Sequence, residues 1–234
     1  MPSKFVVFDL FHTLVDPEDF RPKEFRRAVA VSEVLGFDKD EFVPYWKSTE
    51  AARLISPRPE TELMKEFALQ RGILLTDDKL RAADEVLGRY TGLAVLNPSK
   101  EALDFLGGLT KTGLRLGILS NTVPSDARFW PRSPLAGFFA AAVFSHEVGR
   151  AKPDPEAYRV VLSRLGADAS SSAFVGNGGH DELAGAKRLG FGRVIFMRRF
   201  VGTNGLWPES ELGGFAREAD ATAMDFEELG TLLR

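Results

Sequence analysis

Asp9, Ser120, Lys152 and Asp181 are the residues whose types and placement suit them to a displacement reaction. Asp9 closes the apolar run KFVVFDL, Ser120 closes LGILSN, and Lys152 and Asp181 follow in GRAKPDPEAY and FVGNGGHDELAG. A carboxylate such as Asp9 can attack a substrate and form an ester. That splits one hard displacement into two steps, provided the carboxylate charge is partly neutralised and the leaving group is stabilised. Lys152 supplies a point charge for both Asp9 and an incoming anion. Ser120 offers a hydroxyl donor and Asn121 an amide, while backbone N–H groups from Phe11 to Leu14, around Thr13, can cradle an anion. Plainer roles stay open: Ser120 and Thr13 can cap turns, Asn121 can brace its loop, and Lys152 can be a solvated lysine ahead of a helix.

The elements that must hold these residues are legible from periodicity. Lys4 to Leu10 is an apolar, β-branched run that predicts a buried parallel strand delivering Asp9 to its carboxyl end, where open α/β sheets place their ligands. From about Phe20 to Tyr90 the pattern changes to apolar residues at helical spacing in EFRRAVAVSEVLG, DEFVPYWKSTEAARLI, ETELMKEFALQRG and DDKLRAADEVLGRY. Four amphipathic helices with no strand between them predict an inserted all-helical domain over 17–90. From Pro98 onward helices and strands alternate, which implies βαβ units with right-handed crossovers and a doubly wound parallel sheet over 1–16 and 91–234. FVGTNGLWPESELGGF, at 200–215, is rich in Gly, Asn and Pro and reads as a loop.

Composition removes several classes. The chain has 234 residues with 44% hydrophobic content, enough for one large domain or one carrying an insertion. Its net charge is −3 with the signs interleaved, so there is no basic stripe for nucleic acid. Cys is absent, which excludes disulfides and thiolate chemistry and fits a reducing cytoplasm. The apolar run near the N-terminus is too short for a signal sequence or a membrane span. The expected protein is cytoplasmic, a monomer or homodimer, with a small anionic molecule as its partner.

Taken in order, four segments resemble the signature motifs of the haloacid dehalogenase superfamily of hydrolases: VVFDLFHTLVD, LGILSNT, GRAKPDPEAY and FVGNGGHDELAGAKRLG. The resemblance covers essentially the whole chain and implies a Rossmann-like core with the helical insertion as its cap. It implies Asp9 as nucleophile, Ser120 as a donor to the transferred group, Lys152 as the motif lysine, and Asp181 as the second acid of Gly-Asp-x-x-x-Asp. Thr13, Asn121, Phe11 and Asn177 would face the substrate. An Mg²⁺ ion, where one is used, would take Asp9, the Phe11 carbonyl, Asn177 and Asp181.

Two departures matter. Phe11 stands where phosphatase members carry a second Asp, so the general acid-base worth about 10²- to 10⁴-fold in rate is missing. Asn177 stands at the first Asp of the fourth motif, which implies weak Mg²⁺ binding. Both resemble the dehalogenase branch, which uses no metal, since halide leaves without a proton. Tyr158, six residues after Lys152, also matches that branch. Such an enzyme needs a cap arginine for the substrate carboxylate; Arg53 is the first candidate, then Arg58 and Lys47. The spacing of the fourth motif instead favours a phosphate substrate with a good leaving group. An attenuated member that only binds a ligand or partner is a third reading. His180 can approach the pocket from its turn, whereas alternation along an extended segment predicts that His12 faces away from Asp9 and Phe11.

Overall fold

The computed structural model describes residues 4–203, 205 and 207–234. Its strands are Phe5–Phe8 (β1), Arg115–Ser120 (β2), Phe139–Phe144 (β3), Ser172–Gly176 (β4), Arg193–Met197 (β5) and Ala221–Ala223 (β6). They form one sheet in the order β3-β2-β1-β4-β5-β6, with every neighbouring pair parallel. The chain runs outward through β2 and β3 on one side of β1 and through β4, β5 and β6 on the other. That reversal opens a crevice at the carboxyl ends of β1 and β4.

The strands are apolar on both faces because both are covered. Val6 and Phe8 of β1 join one cluster with Leu106 of helix α6 (Lys100–Lys111) and Leu229 of helix α12 (Phe226–Leu232). Val7, between them, joins a second cluster with Val161 of helix α9 (Pro155–Leu165) and Ala186 of helix α10 (Glu182–Leu189). This is the doubly wound core read from the alternation of elements.

Between β1 and β2 lie helices α1 (Arg27–Leu35), α2 (Lys39–Ser48), α3 (Glu50–Leu54), α4 (Glu60–Leu69) and α5 (Asp77–Leu96). They gather a third cluster of their own, with Leu35, Phe42, Trp46, Met64, Phe67 and Leu87 at its centre. Helix α5 runs unbroken past residue 90, so the expected domain division falls inside a helix and not in a loop. Gly88 and Gly92 lie four apart on one face of this helix. A Cβ on Gly88 would meet the Ser125 carbonyl at 2.7 Å, and one on Gly92 the Phe129 ring at 2.6 Å. Their absence lets α5 lie directly on the segment containing helix α7 (Pro124–Ala127), at the rim of the crevice.

The expected loop at 200–215 needs correction. Pro208 opens helix α11 (Glu209–Glu218), whose Leu212 is buried and packs in the second cluster. Gly213 and Gly214 hid its periodicity, and a small apolar face of one buried Leu gave little signal. Asn204 and Leu206, part of the same expectation, lie outside the described residues. Among the described residues, no helix is long and apolar enough to cross a membrane.

Candidate active site

A cavity of about 400 Å³ lies at the carboxyl ends of β1, β2 and β4. Asp9, Phe11, Ser120, Asn121, Lys152 and Asn177 line its floor, together with Glu182. Asp9 follows β1 directly, and its N–H continues the ladder by donating to the Val175 carbonyl at 2.9 Å. The Asp9 carboxylate is buried and held on both oxygens. Oδ1 accepts from Lys152 Nζ at 2.6 Å; Oδ2 accepts from Thr13 Oγ1 at 2.9 Å and Asn177 Nδ2 at 3.1 Å. Three donors around one carboxylate fix its orientation and aim its remaining lone pairs.

Lys152 bridges two carboxylates, because its Nζ also donates to Glu182 Oε2. Burial alone would drive this ammonium toward neutrality; Asp9 and Glu182 outweigh it and hold the pKa above the ordinary lysine value. Glu182 has the opposite balance. Burial raises its carboxyl, Lys152 opposes, Asp9 adds to the rise, and the pKa is pushed up to about 7. Glu182 reaches this position because Gly176 has no side chain, since a Cβ there would lie 2.3 Å from Glu182 Oε1.

Glu182 is the acid that the sequence reading missed. It displaces Asp181, which the structure leaves exposed, with a left-handed backbone at φ 52° and outside the cavity lining. The loop Asn177-Gly178-Gly179-His180-Asp181 is one residue longer than the expected spacing, so the carboxyl of the next residue turns inward. The start of α10 at Glu182, with buried Leu183 and Ala186 behind it, was the available signal.

The other expected residues divide. Ser120 is buried at the end of β2 and lines the cavity. Thr13 is buried and serves Asp9 directly. Asn121 is at the rim of the floor, but both of its amide bonds go to the Lys152 backbone: Oδ1 accepts from the N–H at 2.8 Å and Nδ2 donates to the C=O at 2.9 Å. Its structural task is to brace the Lys152 loop. Tyr158 is fully buried behind the site, stacked edge-on with Phe174, and its hydroxyl donates to the Glu182 carbonyl at 2.8 Å. His180 is exposed at the cavity edge.

Arg53 does not reach the cavity. Its guanidinium lies 4.0 Å over the Trp46 ring and donates to the Trp46 carbonyl and the Thr49 hydroxyl. Arg58 pairs with Glu66 on an exposed face, and Lys47 is exposed. Among the described residues, the arginines that line the cavity are Arg21, between β1 and α1, and Arg27, the first residue of α1. Arg21 pairs with Glu18, and Arg27 lies 3.1 Å from Asp126 Oδ1. Helical periodicity could not single them out, because it marks the apolar face of a helix and not which of its polar residues faces a cavity. Trp207, from the segment before α11, completes the wall.

His12 also lines the cavity, against expectation. The extended conformation ends before it: His12 has φ 58°, its N–H donates to the Val15 carbonyl at 2.6 Å, and Phe11 bridges to Val15. A left-handed, non-glycine residue costs about 1–2 kcal/mol, and alternation no longer applies across such a turn.

The donor set does not fit Mg²⁺. Asp9 and the Phe11 carbonyl would be among the residues holding the ion, and the Asn177 amide nitrogen donates to an oxygen of each, at 3.1 and 2.8 Å. Asn177 Oδ1 accepts from the Gly179 N–H at 2.8 Å, so the amide is oriented from both ends. Asp181 is exposed and does not line the cavity, and Glu182 is committed to Lys152 and to the Gly178 N–H. Mg²⁺ needs octahedral oxygen with one or two carboxylates, whereas here a neutral N–H donor faces the Asp9 and Phe11 oxygens.

A family model for haloacid dehalogenase-like hydrolases matches residues 4–190. The chain belongs to this family of hydrolases. Among curated relatives of the hydrolase, the glyceraldehyde 3-phosphate phosphatase of Methanothermobacter thermautotrophicus is 25% identical over 82% of this chain and 84% of the relative. The phosphoserine phosphatase of Thermus thermophilus is 35% identical over 56% of this chain, a match spanning only 50% of that relative; a match to the pyrophosphatase PpaX of Bacillus velezensis spans 38% of its length. Solved structures show the same fold. A phosphatase of this superfamily from Thermococcus onnurineus aligns with TM-score 0.65 at 22% identity, covering 98% of this chain and 97% of the other. The L-2-haloacid dehalogenase of Xanthobacter autotrophicus aligns with TM-score 0.60 at 21% identity, covering 99% and 98%.

Proposed function

We propose that this hydrolase displaces the leaving group of a small anionic substrate with the Asp9 carboxylate, without a metal, and then hydrolyses the aspartyl ester. A short 2-haloacid is the substrate class that fits best. The observation that carries this reading is the Asn177 amide, which donates to the Asp9 carboxylate and to the Phe11 carbonyl, where a cation would need free oxygens. Lys152 and Asn177 then neutralise Asp9 with fixed donors that need no reorganisation during reaction. Halide departs without a proton, so Phe11 leaves no deficit in the first step. Phe11 and Trp207 offer apolar wall for a short alkyl or halogen group. Arg27 takes the clamp role expected of Arg53, with the helical region 17–90 acting as cap.

A phosphate ester is the second reading, favoured by the curated relatives, which are named phosphatases. Turnover of chloroacetate, 2-chloropropionate and aryl and alkyl phosphates, each with EDTA and with Mg²⁺, separates the two. Haloacid turnover in EDTA supports the first reading. Turnover of phosphates alone, and only with Mg²⁺, would overturn it.

A further inference from the structure

Among the described residues, the permanent cations lining the cavity are Arg21, Arg27 and Lys152, and each already faces an acid. Lys152 is spent on Asp9 and Glu182. Arg21 is spent as well, because its Nε and Nη2 donate to the two oxygens of Glu18. Arg27 differs. Its Nη1 lies 3.1 Å from Asp126 Oδ1, but the pair is not aligned as a hydrogen bond, and Oδ1 is buried without one. Among the described residues the N–H fork of Arg27 is otherwise unengaged, so it stays open to a planar anion. We propose that Asp126 makes this a site for a single negative charge: it holds Arg27 at the cavity and rejects substrates that carry a second anionic group. The inference rests on the reading of Arg27 as the clamp, and it narrows the substrate to a monoanion such as a 2-haloacid with one carboxylate.

Arg27 opens α1 and Asp126 stands in α7, so the pair joins the helical region to the core. A cation in the first turn of a helix meets the positive end of the helix dipole, and the Asp126 carboxylate offsets that. Asp126 is fixed through its neighbour. Buried Ser125 donates its hydroxyl to Glu60, a buried residue at the start of α4. Two adjacent residues of α7 thus receive side chains from two helices of the inserted region, which holds Asp126 in place by its backbone as well as by charge.

The charges decide what the site admits. Arg27 and Asp126 cancel before a substrate enters. One carboxylate on Arg27 takes the trio to a net negative charge, and the Arg21–Glu18 pair has nothing left to offset a second. Asp126 is partly exposed, so solvent weakens this repulsion without removing it. In Asp126→Asn the same trio is neutral, and a second negative charge is tolerated.

The test compares 2-chlorosuccinate, which has two carboxylates, with its 4-amide, which has nearly the same size and one charge fewer. Turnover is measured for the wild type, Asp126→Asn and Arg27→Ala, at low and at high salt. The wild type should favour the amide in kcat/KM by about tenfold, chiefly through KM, and salt should shrink that ratio. Asp126→Asn should bring the two probes level, while Arg27→Ala should raise KM for both. If Asp126→Asn instead raises both KM values together and leaves their ratio unchanged, Asp126 only braces Arg27 and the proposal is overturned; equal use of the two probes by the wild type overturns it as well. Unchanged KM values in Arg27→Ala would overturn the clamp reading itself. Turnover of neither probe by a wild type that hydrolyses phosphates would overturn the haloacid reading, and this inference with it.

Discussion

The floor and the roof of the cavity hold their charges in different ways. On the floor, the side chains of Asp9, Lys152 and Glu182 are 7%, 2% and 2% exposed; they sit at the end of β1, in the loop that Asn121 braces, and at the first residue of α10. On the roof, Arg27 and Asp126 are 28% and 14% exposed, and Arg21 and Glu18 are 26% and 20%. Buried charges that lose a partner are left uncompensated, while half-exposed ones are screened by water and salt. The floor is therefore suited to chemistry, where a fixed field matters, and the roof to selecting a substrate by its charge.

The sharpest way to break this contrast is at Lys152. Lys152→Met leaves Asp9 and Glu182 facing each other without their shared cation. Activity should fall by about 10³-fold, and stability by about 3–5 kcal/mol, read from denaturant midpoints. Retained stability with lost activity would show that water reaches the floor.

A second effect belongs to Glu182. Its carboxyl titrates near 4.5 when unfolded and at about 7 when folded, so between these values the native state holds the extra proton. Its contribution to stability is fully present below the lower value and is lost as pH rises through the upper one. Chemical unfolding across this window should show native stability falling with pH, and Glu182→Gln should flatten that slope. An unchanged slope in the variant would place the titration elsewhere.

Roof substitutions should be milder. Arg27→Ala is expected to raise KM for 2-chloropropionate about tenfold, equivalent to about 1.4 kcal/mol for one partly screened contact, with kcat little changed. Arg53→Ala, which removes a contact over Trp46, should leave KM unchanged. The reverse pattern would restore the clamp to Arg53.

The same contrast explains what the sequence made legible. Asp9 and Ser120 were readable because continuous apolar runs mark strands buried on both faces and βαβ alternation dictates where those strands end, and Lys152 because it precedes the Pro-led start of a helix. Glu182 escaped because a longer Gly-rich loop shifted the inward position from Asp181, and periodicity does not report loop length. Arg21 and Trp207 come from connecting segments, and Arg27 from the first residue of α1, so their direction is set by tertiary packing and not by local pattern. His12 was misplaced because alternation was carried into a turn where the backbone is left-handed.

The central claim is that Asp9 is the nucleophile and needs no metal. A single turnover of 2-chloropropionate in H₂¹⁸O, with enzyme in excess and EDTA present, tests it directly. The account predicts that ¹⁸O appears in the Asp9 carboxylate, located by peptide mass, while the first equivalent of product carries unlabelled oxygen. Label entering the product at once, with Asp9 unlabelled, would contradict it.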